Sequence, residues 1–248
     1  MHLSLKNISF YISVLLLAAC TNKPVKDAPK KLVSFYAVRL VCHADTTVAC
    51  GTRVKPLFNE MGSNKNIKAF EINHNGTVIA IWWDTTIQTK LMADTTITPI
   101  YKDNKIIAVY ITDSARIKTL LATTTNTQTW YTPADMDALT MDEADAIAKK
   151  GIELAIQQGL INTPHPDSLH AAIQNYYTTE FAHIKTYDEL TNPDMRKQSD
   201  KDLYTLLARY TSKQNTMSVF KIFNDITFRK SYLADSSIDP CCIEPERP

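Results

Sequence analysis

Two cysteines, Cys42 and Cys50, are the residues whose type and spacing best suit chemistry in this sequence. Eight positions separate them, and His43 directly follows the first. Two thiolates held close together bind soft metal ions such as Cu(I), and in an oxidising compartment the same pair forms a disulfide. Three hypotheses therefore stand side by side: a soft-metal site with His43 as a possible third ligand, a structural disulfide, and reversible thiol–disulfide chemistry.

The positions of the other cysteines limit which pairs are expected to form a disulfide. Cys20 follows Leu17-Ala18-Ala19, which resembles the lipobox of bacterial lipoproteins and implies a lipid on Cys20. The other two cysteines are Cys241 and Cys242 near the C-terminus. A bridge between these two adjacent residues would strain the backbone, so Cys42–Cys50 is the expected bridge. Closing that loop would stabilise the fold by up to about 2–3 kcal/mol. Cys241 and Cys242 either reach back to the first domain, bind metal, or remain free thiols in a tail.

A strand and a helix would position the Cys42–Cys50 pair. Residues 33–41 are rich in β-branched and aromatic side chains, which predicts a buried strand ending just before Cys42. After Cys50, apolar residues recur at helical spacing, namely Val54, Leu57, Phe58 and Met61. Because the positive end of a helix lowers the pKa of a nearby thiol, a helix starting beside Cys50 favours thiolate chemistry.

The pattern up to residue 112 predicts a small mixed domain. Asn75-Gly76 between two apolar runs is a strong hairpin signal and predicts strands over 67–72 and 78–83. We further expect a short helix over 85–93 and closing strands over 98–101 and 106–111. The order of these elements, with one extra strand, predicts a ferredoxin-like β-α-β-β-α-β domain over residues 32–112.

Residues 33–111 resemble the heavy-metal-associated domain, the ferredoxin-like module of copper and mercury carriers. The resemblance rests on Cys50-Gly51-Thr52-Arg53-Val54-Lys55-Pro56-Leu57 at the strand-to-helix junction, with 67–73 and 76–81 as the second and third strands. That family binds metal through a Cys-x-x-Cys motif before its first helix. Cys50 stands at the second position of this motif, whereas Thr47 stands at the first. The resemblance therefore implies a metal site only if Cys42 replaces the missing thiol.

From residue 113 the apolar residues follow the helical period, which predicts an all-α domain over 113–238 and a tail over 239–248. We expect helices over 113–121, 140–159, 167–184, 200–210 and 216–233. Thr140 and Glu143 match a capping box, and the acidic residues Asp142 and Asp145 suit the positive end of a helix. Glu143 is thus expected to be a capping residue at a helix start. The expected fold class is α+β.

The histidines of the helical half are candidates for a second metal site. Glu180 and His183 are three positions apart and share a helix face, and His165 and His170 lie earlier in the sequence. Di-metal bundles need two Glu-x-x-His elements, and this half contains one. We therefore expect these residues to be ordinary surface residues.

The N-terminal residues predict export to the cell envelope. A cationic start with Lys6 and an apolar run over 8–19 form a secretory signal peptide over 1–19, which is shorter than the roughly 20 residues of a bilayer span. The residues at the end of the apolar run, Leu17-Ala18-Ala19-Cys20, resemble the lipobox of bacterial lipoproteins. This resemblance implies acylation of Cys20, which becomes the first mature residue. Residues 20–31 are polar and contain proline, which predicts a flexible tether, and they lack an acidic export run, which favours a periplasm-facing body.

Composition and motifs exclude several functions. The chain has 27 basic and 26 acidic residues, and residues 1–19 hold a single charged residue, Lys6, so the remainder is neutral. Neutrality argues against nucleic-acid binding, and the absence of a glycine-rich phosphate loop argues against a nucleotide. No Gly-x-Ser-x-Gly or His-Glu-x-x-His motif is present. The first hypothesis is thus a membrane-anchored, non-enzymatic binding or assembly module with an envelope protein partner. Soft-metal transfer and thiol redox chemistry are the alternatives.

Overall fold

The computed structural model describes residues 32–124, 129–161 and 166–227. Within these ranges the chain forms a five-stranded antiparallel sheet and eight α-helices, so the expected α+β class is confirmed. The described residues belong to one compact unit that starts at Leu32. Several expectations lie outside the described residues: the signal peptide, the tether, lipidation of Cys20, the position of His165, and the tail with Cys241 and Cys242.

The strands, in chain order, are β1 (Val33–Ala37), β2 (Ile67–Asn73), β3 (Val78–Trp83), β4 (Val109–Tyr110) and β5 (Trp130–Tyr131). The helices are α1 (Gly51–Ser63), α2 (Lys90–Asp103), α3 (Ser114–Thr123), α4 (Met136–Gln157), α5 (Pro166–His183), α6 (Tyr187–Thr191), α7 (Pro193–Leu207) and α8 (Thr216–Ile226). A 3₁₀ turn, Pro133–Asp135, precedes α4. Among the described helices, none is both long and apolar enough to cross a bilayer.

The sheet has the strand order β4-β1-β3-β2-β5, and every neighbouring pair is antiparallel. The predicted hairpin between β2 and β3 is confirmed. Its turn contains Gly76 at φ 71°, where a Cβ atom would lie 2.2 Å from the carbonyl oxygen of Leu40. Only glycine fits this conformation and this approach. β5 comes from beyond residue 112, the predicted end of the first domain, and pairs with β2.

The predicted strand over 98–101 is wrong, because these residues lie inside α2. Thr95, Thr96 and Thr98 have β-branched side chains, which favour strand, yet each donates a hydroxyl hydrogen bond to the carbonyl four residues earlier. Their hydroxyls are therefore satisfied within the helix. The helix buries Ala93, Ile97, Ile100 and Tyr101 at helical spacing, and that burial outweighs the local preference for strand. The strand predicted over 106–111 shrinks to the two residues of β4.

The start predicted for the long helix at Thr140 is also wrong. The capping box lies earlier, where Thr132 and Asp135 cap the 3₁₀ turn reciprocally, and α4 follows from Met136. Thr140 instead donates its hydroxyl to the carbonyl of Met136 at 2.8 Å. Glu143 lies one turn further into the helix and is 2 % exposed. The Thr-x-x-Glu pattern is therefore part of the inward face of α4.

Two larger apolar cores and one smaller apolar cluster fill the described fold. The first fills the space between one face of the sheet and helices α1 and α2, whereas the second lies among α4, α5, α7 and α8. In the second core α4 and α8 approach closely at Gly151, where a Cβ atom would lie 2.1 Å from Phe223 Cε1. The other face of the sheet packs against α3 through Ile117 and Leu120.

Candidate functional site

A buried carboxylate joins the sheet half of the molecule to the helical half. Glu143 of α4 points at the first turn of α1, where its Oε2 accepts the backbone N–H of Thr52 at 2.9 Å. Its Oε1 accepts the hydroxyl of Thr52 at 3.2 Å. The N-cap residue of α1, Cys50, forms no capping bond with its own side chain. Glu143 thus supplies the acceptor that free N–H groups at a helix start require.

Cys50 belongs to the same cluster. Its thiol donates to Glu143 Oε1 at 3.0 Å and lies 3.1 Å from the hydroxyl oxygen of Thr52. Gly51 makes the close approach possible, because a Cβ atom there would lie 3.2 Å from Glu143 Oε2 and 3.3 Å from Leu139 Cγ. The carboxylate, thiol and hydroxyl therefore satisfy one another inside the protein.

Burial sets the protonation of this cluster. It raises the pKa of the Glu143 carboxyl to about 7, although hydrogen bonds from Cys50, Thr52 and Gly51 act in the opposite direction. Burial also raises the pKa of the Cys50 thiol well above its ordinary value, and the neighbouring charge of Glu143 raises it further. The same two causes raise the pKa of Cys42 to about 12. Both thiols are therefore protonated at neutral pH.

The expectation that the helix start would lower the thiol pKa is wrong. At α1 the N–H of Thr52 points at Glu143 rather than at a thiolate. A thiolate at Cys50 would lie beside this carboxylate in a buried site, and desolvation and like-charge repulsion both disfavour it. The Glu143 carboxylate, rather than the Cys50 sulfur, accepts the free Thr52 N–H at the start of α1.

Backbone pairing determines how Cys42 and Cys50 face each other. Val41 and Ala49 form an isolated antiparallel bridge, flanked by bonds from Cys42 N to Val48 O at 2.8 Å and from Cys50 N to Leu40 O at 2.7 Å. This register makes the cysteines diagonal neighbours, whose Cα atoms typically lie about 7–8 Å apart. Disulfides join Cα atoms about 4.4–6.8 Å apart. A bridge between them would therefore require the loop to move.

The structure records Cys42 and Cys50 as free, buried thiols. Across the described ranges, no group of three or more histidine, cysteine or acidic side chains is arranged to hold a metal ion. His43 is exposed, on the loop that joins the two cysteines. The soft-metal site with Cys42, Cys50 and His43 stays a prediction, as does the disulfide.

The histidines of α5 take separate positions. His170 Nε2 lies 3.1 Å from Asp145 Oδ1 and so links α5 to α4. His183 is exposed at the end of the helix and Glu180 is half-buried. Asp145 also forms an ion pair with Lys149 on its own helix at 2.6 Å. These contacts give His170 and Asp145 a role in helix packing.

A second feature is a surface cavity of about 500 Å³, which we call the seam cleft. One wall comes from α1 and the end of α2, and the other from the junction between α5 and α6. Two side chains of α1 hold these walls together: Asn59 Nδ2 donates to Lys185 O at 2.9 Å, and Lys55 Nζ donates to Ala182 O at 2.8 Å. The lining residues are Pro56, Asn59, Glu60, Asp103, Asn104, Lys185, Thr186, Tyr187 and Asp188.

The seam cleft is predominantly acidic. Glu60, Asp103 and Asp188 contribute three carboxylates against the single ammonium of Lys185. Asn104, buried in the floor, donates to Glu60 Oε2 at 2.5 Å. Burial raises the pKa of Glu60, and this hydrogen bond opposes the shift.

Arg53 holds the ring of Tyr187, which forms one wall of the cleft, in position. The guanidinium of Arg53 lies 5.0 Å from the centroid of the Tyr187 ring. It also donates from Nη2 to Lys105 O at 3.1 Å. This cation–π contact connects α1 to α6, so the Tyr187 wall is held by the sheet half of the molecule.

Comparison with protein-family models, curated proteins and solved structures gave no match to this chain. Function therefore has to follow from the site itself.

Sequence reasoning missed the role of Glu143 and the whole seam cleft. A signal for Glu143 was present, because it follows Leu139 and precedes Ile147 at four-residue intervals on the buried face of α4. A carboxylate on such an apolar stripe indicates a buried partner. No comparable signal exists for the cleft, because its two walls are more than eighty positions apart in sequence.

Proposed function

We propose that this chain is a lipid-anchored, periplasm-facing envelope protein that acts as a non-enzymatic binding module, with the seam cleft as its ligand site. The observation that carries the proposal is the cleft itself, an acidic cavity of about 500 Å³ at the junction of two separate cores. Ligand sites typically enclose about 300–1,000 Å³ and favour such junctions. Its carboxylates favour a ligand with positive charge, such as a lysine- or arginine-bearing segment of an envelope protein.

The thiol alternatives have weaker support. Soft-metal binding and disulfide exchange both proceed through thiolates, whereas burial keeps Cys42 and Cys50 protonated. The thiol proton of Cys50 is directed at Glu143. We therefore assign Cys50 and Glu143 a structural role, in which they hold α1 against α4 and so keep the walls of the cleft in place.

Within the same proposal, β1 to β4 with α1 and α2 form a ferredoxin-like domain. The support is the antiparallel order β4-β1-β3-β2, together with one helix after β1 and one after β3. In this interpretation β5 is an addition that extends the sheet beyond β2. The proposed membrane anchor rests on the signal-peptide pattern and on the lipobox-like Leu17-Ala18-Ala19-Cys20.

Titration with charged peptides tests the cleft. We expect a tetralysine peptide to shift amide resonances of cleft residues in ¹H–¹⁵N spectra, whereas a tetraglutamate peptide leaves them unchanged. Asp103→Asn combined with Asp188→Asn should weaken tetralysine binding at least fivefold. A matched control, Asp194→Asn with Asp202→Asn on α7, removes the same charge from residues that do not line the cleft. Equal weakening in both double variants, or shifts spread over the whole surface, would remove the cleft as the ligand site.

Fatty-acid labelling tests the anchor independently. Full-length protein produced in a bacterial host should incorporate a labelled fatty acid and sediment with membranes. Cys20→Ala should abolish the label, and Cys42→Ala should retain it. Unlabelled wild-type protein in the soluble fraction would contradict the lipoprotein proposal without affecting the cleft.

A further inference from the structure

Leu91 and Met92, in the first turn of α2, form an exposed apolar pair. Leu91 is 75 % exposed and Met92 41 % exposed, which makes Leu91 the most exposed large hydrophobic residue within the described ranges. The next residue, Ala93, turns inward and is fully buried. The apolar pair therefore contributes nothing to the core that α2 covers.

This pair lies at the end of the sheet where the chain enters the fold. Trp83, the last residue of β3, donates its backbone N–H to Leu32 O at 3.0 Å, just before β1 begins. Asp84 donates its N–H to Asn66 O at 2.9 Å, just before β2 begins. A short loop then leads into α2, so Leu91 lies toward the same end of the sheet as Leu32. We call this region, with its surrounding side chains, the entry face.

Basic side chains lie at the same end of the sheet. Lys65 and Lys68 are exposed where α1 leads into β2. Lys90 forms an ion pair with Asp94, and Asp84 lies within electrostatic range of Lys68. The entry face thus has three ammonium groups against two carboxylates.

The sequence that precedes Leu32 is more strongly basic. Residues 21–31 contain four lysines, at 23, 26, 30 and 31, against the single acidic residue Asp27. Basic residues beside a membrane anchor are attracted to anionic lipids. The entry face and the sequence that precedes Leu32 therefore both match an anionic lipid surface in charge.

We propose that the entry face rests on an anionic lipid surface, with Leu91 and Met92 inserted among the headgroups. This inference rests on the proposed lipid anchor, because residues 20–31 can hold the fold at most about 40 Å from an acylated Cys20. At that range a small apolar contact with flanking lysines is enough to orient the body. The contact gives the tethered fold a preferred orientation at the membrane.

Brominated vesicles test the entry face without relying on lipidation. Residues 1–19 are replaced by a hexahistidine segment, and the protein is bound through nickel-chelating lipid to vesicles of phosphatidylglycerol and phosphatidylcholine with brominated acyl chains. Leu91→Trp places a fluorophore on the entry face. Ile156→Trp is the matched control, because Ile156 is 49 % exposed in the helical half. Fluorescence of the parent protein is subtracted in both cases.

We expect bromine quenching of the added tryptophan to be at least twofold stronger at position 91 than at 156. Lys65→Glu with Lys68→Glu, or vesicles of phosphatidylcholine alone, should reduce quenching at 91 at least twofold. Equal quenching at the two positions would overturn the proposal. It would also be overturned if Leu91→Glu converted a dimer in solution to a monomer, because the face would then bind a second copy of the chain. Quenching at 91 in a protein whose Cys20 is not acylated in cells would refute the anchor alone.

Discussion

Glu143 Oε2 accepts the backbone N–H of Thr52 at 2.9 Å, across 91 positions of sequence. A side chain from the middle of α4 thereby caps the start of α1. Helix caps are usually supplied by the residue just before the helix. Here the cap comes from the other half of the molecule, so the first turn of α1 is complete only when the two halves are packed together.

Removal of the Glu143 carboxylate is expected to destabilise the whole fold. Glu143→Ala removes the carboxylate that accepts the Thr52 N–H and the Cys50 thiol in a buried site, which costs about 3 kcal/mol in the free energy of unfolding. Glu143→Gln retains one acceptor oxygen and should cost about 1 kcal/mol. Urea unfolding at pH 7 measures both values. Glu153→Ala, on the exposed face of the same helix, is the control and should change stability by less than about 0.5 kcal/mol.

The raised pKa of Glu143 predicts a stability that falls as pH rises. Its carboxyl titrates near 4.5 in the unfolded chain and near 7 in the folded protein. Between these values the folded state holds a proton that the unfolded state has lost. The contribution of Glu143 to the free energy of unfolding is therefore greatest below pH 4.5, and it decreases by about 3 kcal/mol up to pH 7.

Comparison with Glu143→Gln isolates this contribution, because glutamine does not titrate. From pH 5 to pH 7, the unfolding free energy of the wild type should fall relative to that of Glu143→Gln. Above pH 7 the difference between the two should level off. Parallel stability curves over that range would mean that Glu143 keeps an ordinary pKa in the folded protein.

Glu143 also marks the limit of what local sequence could predict. The pattern Thr140-x-x-Glu143 fits a capping box, and the few residues around it do not contradict that interpretation. What determines its role is burial against α1, a contact between distant segments. By contrast, the hairpin turn at Gly76 was predictable, because the required left-handed conformation is a property of the turn itself.

The thiols of Cys42 and Cys50 should be unreactive in the folded protein. Both are buried and protonated, so a thiol reagent reaches them only after the fold opens. In a variant with Cys20→Ala, Cys241→Ser and Cys242→Ser, labelling at pH 8 should proceed slowly without urea and within mixing time in 8 M urea. Rapid labelling without urea would restore the soft-metal and redox hypotheses. A mass two hydrogens lower after aerobic purification would instead indicate the Cys42–Cys50 disulfide.

The strand wrongly predicted over 98–101, within α2, has a different physical origin from the wrong role predicted for Glu143. The Thr-rich stretch around Thr95 and Thr98, with Pro99, has a low intrinsic preference for helix. Burial of Ile97 and Tyr101 against the sheet outweighs that preference. The buried side chains at 93, 97, 100 and 101 follow the helical period, which the predicted strand over 98–101 did not take into account. Where type and period disagree in a segment that packs on a sheet, the period is the better guide.

Close packing of α4 against α8 leaves no room for a methyl group at Gly151. A Cβ atom there would lie 2.1 Å from Phe223 Cε1, and Phe223 is fully buried. Gly151→Ala must therefore displace the ring, at a cost of about 2–3 kcal/mol in the free energy of unfolding. Gly62→Ala in α1 is the matched control, because its Cβ atom would lie 3.7 Å from Phe70 Cζ. Alanine there should raise stability by up to about 1 kcal/mol, as expected for a helical glycine.

Phe223→Leu distinguishes a clash from a change in helix preference. In that background the smaller side chain makes room, so Gly151→Ala should cost at least 1 kcal/mol less than in the wild type, a coupling of the size expected for residues in contact. Urea unfolding of the two single variants and the double variant measures this coupling. Additive costs would mean that α4 and α8 are separated by more than the structure indicates at Gly151.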